Sequence, residues 1–135
     1  MNDAEYEAQK ERVQALFSKW VKPLGLGWWT ITTEWDRQFK NSEPKSTPYG
    51  KNEKNCPMDC SASWKYGTAL IVCYLPAITT LTDTELEWAV VHELMHIMVN
   101  ECRVGGDDWL DHEERVCSTL AKAFLWLRDS LVEGA

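Results

Sequence analysis

Three residues close together in the sequence have the types and spacing for metal chemistry. The stretch VVHELMHIMVN, residues 90–100, contains His92, Glu93 and His96 in the pattern H-E-x-x-H. On an α-helix, positions i and i+4 lie about 40° apart around the axis. Both imidazoles can therefore reach one metal ion from one face. Glu93 stands beside them, where it can act as general base on a water that the metal activates. The flanking Ala89, Val90, Val91, Leu94, Met95, Ile97, Met98 and Val99 make this helix apolar almost all round, which predicts burial. Two histidines and a glutamate in such a helix are costly unless something satisfies them, and a metal ion would. The competing reading is a pair of buried structural histidines.

Two histidines leave a catalytic metal site one protein ligand short. The extended pattern H-E-x-x-H-x-x-G-x-x-H is excluded, because Val99 and Cys102 stand where its glycine and third histidine would be. The remaining candidates are His112, Glu113 and Glu114. The apolar stripe of the last predicted helix, Val116, Leu120, Phe124 and Leu127 with Cys117, Ala123 and Leu131, reaches Glu113 when extended one turn back. Glu114 lines up instead with Ser118, Ala121 and Arg128, read as a more exposed side. Glu113 is therefore the expected third ligand, with Glu114 and His112 as alternatives. A plain first-turn carboxylate, favoured by the helix dipole, is the competing reading for both glutamates.

These residues need elements to position them. Residues 3–22 carry Tyr6, Val13, Leu16, Phe17, Trp20 and Val21 at helical spacing, and Pro23 and Gly25 end that helix. Residues 27–39, rich in aromatic and β-branched types, predict a strand with Trp29, Ile31, Thr33 and Trp35 facing one way. Residues 40–55 are polar, with Pro44, Pro48 and Gly50, and read as a loop. Residues 58–66 and 68–75 suggest a hairpin turning at Gly67. Thr82 and Glu85 fit a capping box that opens the histidine helix, expected over residues 83–102. An acidic connector, 107–111, precedes a last helix over residues 111–132. Strands followed by helices predict an α+β fold in a single domain, 1–135, with an N-terminal helix, a small three-stranded sheet, the HExxH helix and a glutamate-bearing C-terminal helix.

The bulk composition narrows the partners. The 135 residues are 44% hydrophobic and 26% charged, ordinary for a soluble domain. A net charge of −7 argues against a general nucleic-acid binder. No apolar run is long enough to span a membrane, and the charged N-terminus lacks a secretory segment, so the expected location is cytoplasmic. Eight tryptophans could supply much of a small core. Five cysteines with irregular spacing read as free thiols, Cys73 and Cys117 in the core. Cys56 and Cys60, in CPMDC, lack the second pair a structural metal would need, and read as loop thiols or a disulfide.

LEWAVVHELMHIMVN followed by HEERVCSTLAKAFLWL resembles the small, often phage-encoded zinc metallopeptidases of the gluzincin type. The element order is similar to minigluzincins and, more distantly, to the ImmA/IrrE and SprT-like groups. The resemblance implies a zincin-like fold, Zn2+ held by His92, His96 and a glutamate of the next helix, and Glu93 as general base. It does not distinguish Glu113 from Glu114. The chain departs from the SprT-like pattern in lacking a third motif histidine and a DNA-binding tail. It departs from the ImmA/IrrE pattern in having Glu114-Arg115 where Ala-Asn follows the glutamate.

The expected activity is zinc-dependent hydrolysis of a peptide or protein substrate. The substrate would lie along strand 68–75 by strand addition. His112, Tyr66 and Tyr74 are candidate oxyanion donors, and Asp107, Asp108 and Asp111 are candidates to orient the histidines. The rival reading is a catalytically silent module of the same fold, binding a protein partner around a structural zinc. A DNA-linked protease is a third, which salt-sensitive DNA binding would reveal.

Overall fold

The computed structural model describes residues 1–40, 55–102 and 107–133, without the side chains of residues 101, 107–109, 132 and 133. The loop expected over residues 40–55 therefore lies almost wholly outside the described residues. Helix α1, Asp3–Trp20, opens on a capping box between Asn2 and Glu5. Gly25, at φ 77°, turns the chain out of this region. The Leu26 amide donates to the Val21 carbonyl and the Gly25 amide to that of Lys22. This six-to-one and five-to-two pairing satisfies carbonyls a helix end would otherwise leave open, and it needs a residue tolerant of positive φ.

Three strands follow: β1 (Thr30–Asp36), β2 (Met58–Ser63) and β3 (Thr68–Tyr74). Their order is β1-β3-β2, with β1 parallel and β2 antiparallel to β3. The β2–β3 hairpin turns at Gly67, whose φ is 62°. A Cβ there would come within 2.9 Å of the Trp28 ring, so the turn needs glycine for space as well as conformation. Strand β3 is paired on both sides, Ile71 with Thr33 and with Cys60. Strand addition along residues 68–75 is therefore ruled out, because that strand's backbone groups are already used by its two neighbours.

A short helix α2, Leu75–Thr79, which the sequence reading missed, turns the chain back toward α3 (Asp83–Val99). The predicted capping box is present: Thr82 Oγ1 accepts from the Glu85 amide at 3.2 Å, and the Glu85 carboxylate accepts from the Thr82 amide at 3.0 Å. Nine residues of α3 are buried, as its all-round apolar character requires. One turn of 3-10 helix, Asn100–Cys102, ends it. Buried Asn100 accepts from the Trp64 amide at 3.0 Å and ties the end of α3 to the hairpin turn.

Helix α4, Asp107–Glu133, begins four residues before the expected start, so the acidic connector is its first turn. The described residues thus form four helices and a small mixed sheet, an α+β arrangement. The core gathers Met58, Ile71 and Cys73 of the sheet against Leu86, Val90 and Leu94 of α3, with Val13 of α1 and Cys117 and Ala121 of α4. Of the described tryptophans Trp20 is buried and Trp29, Trp35 and Trp88 pack against the core, while Trp28, Trp64 and Trp126 are exposed. No described helix is long and apolar enough to cross a membrane.

Glu87, on α3, is a buried carboxylate unforeseen from sequence. It accepts from Lys19 and from the Trp20 indole of α1, at 2.8 and 2.9 Å, and from Arg128 of α4. Burial alone would raise its pKa. The three donors overcome that and hold it at about 2.

Candidate metal centre

His92 and His96 lie one turn apart on the face of α3 that meets α4. Their Nε2 atoms face each other at 3.2 Å. Both face the Glu114 carboxylate, whose oxygens are 3.1 Å from Nε2 of His92 and 2.9 Å from Nε2 of His96. Ligand atoms from these three residues lie within 4.8 Å of one another, the one such group of His, Cys, Asp or Glu among the described residues.

Glu113, expected as the third ligand, takes a different place. Its side chain is buried, and one oxygen is 2.9 Å from Nδ1 of His96, on the far side of the ring from Nε2. The reason is the face that α4 buries. Cys117 and Ala121 are fully enclosed and Arg128 reaches Glu87, whereas Val116, Leu127 and Leu131 of the apolar stripe are exposed. The packed face thus combines Cys117 of the expected stripe with Ala121 and Arg128 of the side read as exposed, and Glu113 is buried while Glu114 is half-exposed, as the sequence reading had them. Small residues there let α3 and α4 approach closely, and Glu114 comes to the histidine pair while Glu113 passes behind it.

The tautomers follow from the partners. A carboxylate only accepts, so Nδ1 of His96 donates to Glu113, and the neutral ring keeps its lone pair on Nε2. Nε2 of His96, Nε2 of His92 and an oxygen of Glu114 converge on one place, where imidazole N–H groups or a bound cation satisfy the carboxylate. Burial would lower the pKa of His96, but hydrogen bonds with Cys117 and Glu114 and the charges of Cys117 and Glu93 push it to about 11. Hydrogen bonds from His92 and His96 hold the Glu114 carboxyl far below the usual carboxylate range.

His92 is held by two contacts not read from the sequence. The Trp88 ring lies against it, centroids 4.9 Å apart, and Ser118 Oγ is 3.4 Å from its Nδ1. Trp88 is four residues before His92 and Ser118 four after Glu114, so helical spacing was the available signal. Glu93, next to His92, is raised to about 8, chiefly by burial, with the charges of Glu114 and Asp59 adding and those of His96 and Lys40 opposing. A group with that proton affinity both takes and returns a proton near neutral pH.

The other candidates stand apart. His112 and Asp111 are exposed on α4 and do not join the cluster. Tyr66 is exposed in the hairpin turn. Tyr74 donates to Asp59 at 2.9 Å, and burial followed by that bond raises its pKa. The side chains of Asp107 and Asp108 lie outside the described residues. Cys56 and Cys60 are free thiols, Cys60 within β2, so no disulfide joins them, and neither belongs to the His, Cys, Asp or Glu group found among the described residues.

Comparison with protein-family models, with curated proteins and with solved structures found no match for this chain.

Proposed function

We propose that this protein is a zinc-dependent metallopeptidase of zincin-like fold. The observation that carries this reading is the convergence of His92, His96 and Glu114 on one point, with Glu93 beside them on the same buried helix. Two imidazole nitrogens and one carboxylate suit zinc and leave a position for water. His92, His96 and Glu114 would hold the ion, and Glu113 would keep the His96 ring turned toward it. When bound, zinc would supply Lewis acidity to a water and to the scissile carbonyl.

The chain's own residues do the rest. Glu93 takes a proton from the attacking water and returns it to the leaving amine, and its high proton affinity suits both steps. Trp88 shields one side of His92. A peptide passing through the site would run along β2, the outer strand packed against α3, rather than along β3.

The test is metal content by elemental analysis together with hydrolysis of a mixed peptide library. One zinc per chain and cleavage abolished in Glu93→Gln are the expected results. Stoichiometric zinc with no cleavage of any peptide, and no difference between wild type and Glu93→Gln, would replace the enzyme with a zinc-stabilised binding module.

A further inference from the structure

Each histidine of the cluster has a partner at its Nδ1, and the two partners differ in kind. An oxygen of Glu113 is 2.9 Å from Nδ1 of His96. The hydroxyl oxygen of Ser118 is 3.4 Å from Nδ1 of His92. Ser118 lies on α4 one turn beyond Glu114, so one helix meets the His92 ring at both of its nitrogens. The Trp88 ring lies against the face of the His92 ring, centroids 4.9 Å apart and planes tilted by 33°. Held this way, His92 turns Nε2 to Glu114 and Nδ1 to Ser118.

The chemistry of each partner decides where its ring can carry a proton. A carboxylate only accepts, so Glu113 keeps a proton on Nδ1 of His96 with or without a metal ion. A hydroxyl donates or accepts, according to how its hydrogen is turned. Nε2 of His92 is 3.1 Å from an oxygen of Glu114. In the metal-free chain that carboxylate takes an N–H from His92, so the neutral ring carries its proton on Nε2 and offers a lone pair at Nδ1. As a metal ligand the same Nε2 must offer the lone pair, and the proton belongs on Nδ1.

We infer that Ser118 is a positioning residue whose hydroxyl serves both tautomers of His92, donating to Nδ1 in the metal-free chain and accepting from Nδ1–H when the ring is a metal ligand. This rests on the reading of His92, His96 and Glu114 as a metal centre. The protons balance within the ring: one leaves Nε2 for water, one is taken from water at Nδ1, and His92 gives up none in total. The hydroxyl turns about its own bond, so the ring changes tautomer without moving and keeps a partner throughout. A carboxylate at this place would oppose the metal-free tautomer, and a methyl group would serve neither.

Imidazole nitrogen–proton correlation spectra of the isotope-labelled full chain, at about pH 8 without metal and then with one equivalent of zinc, test this. His92 should show the Nε2–H pattern without metal and the Nδ1–H pattern with zinc, while His96 keeps Nδ1–H in both. Zinc affinity, read by competition with a chromogenic chelator, should fall by on the order of 10-fold in Ser118→Ala and return in Ser118→Thr, which keeps the hydroxyl. Circular dichroism checks that both variants fold, and the wild-type spectra decide the matter if one does not. A His92 ring with its proton already on Nδ1 without metal overturns the inference, and so does a Ser118→Ala chain that binds zinc as tightly as wild type. Either result beside stoichiometric zinc in wild type leaves the metal centre standing. A wild type that takes up no zinc overturns the metal centre and this inference together.

Discussion

Nδ1 of His96 lies 2.9 Å from a carboxylate oxygen of Glu113, while Nε2 of the same ring lies 2.9 Å from a carboxylate oxygen of Glu114. Adjacent glutamates on one helix thus grip one imidazole from its two sides. Their removal should have different consequences. Glu114→Ala should abolish stoichiometric zinc binding, and Glu113→Ala should lower affinity by about 10–100-fold while leaving a competent site. Competition with a chromogenic chelator measures both. Retained zinc in Glu114→Ala beside loss in Glu113→Ala would reverse the two roles.

Glu93→Gln should keep zinc, because the side chain is not one of the three converging groups. Turnover should fall by about 100- to 10,000-fold, the usual worth of a positioned acid–base group. Comparing kcat at equal zinc occupancy checks this, and a variant as active as wild type would remove Glu93 from the mechanism.

Metal uptake should be pH-dependent in a stated direction. The metal-free chain holds a proton on His96, with a pKa raised to about 11. A cation must displace that proton, so affinity rises with pH, by about tenfold per unit while the proton remains bound. Titration calorimetry in buffers of different ionisation enthalpy should show close to one proton released per zinc. Affinity unchanged between about pH 6 and 8 would show that His96 is already deprotonated.

Glu87 should govern acid stability. Its pKa is lowered from 4.5 to about 2, so its contribution is fully present above the unfolded value and is lost as pH falls through about 2. The shift corresponds to about 3 kcal/mol. Glu87→Gln should cost about that much at neutral pH and much less near pH 2, as read by urea denaturation. An equal cost at both would assign the effect to packing.

The histidine helix was fully legible, because its capping box, its apolar flanks and its motif are all local signals. Helix α4 was legible in kind but not in orientation. Of its apolar stripe, Cys117, Leu120 and Phe124 do pack on the core, but Val116, Leu127 and Leu131 are exposed, and the packed face turns instead toward Ala121 and Arg128. Stripe strength measures hydrophobicity. The packed face was decided by small side chains that permit close approach and by a buried carboxylate on α3 that needs a guanidinium. The carboxylate lies outside α4, and small side chains carry little weight in an apolar stripe, so the places of Glu113 and Glu114 around His96 were beyond a reading of that helix alone. The crossover that makes β3 central is likewise a long-range pairing without a local signature.

The bond from the Trp64 amide to Asn100 fastens the far end of β2 to the end of α3. At the near end Met58, fully enclosed, shares the core with Leu86, Val90 and Leu94 of the same helix. Strand and helix are thus clasped at both ends, by a polar bond at one and by packing at the other, and parting them would expose a buried methionine as well as break the bond.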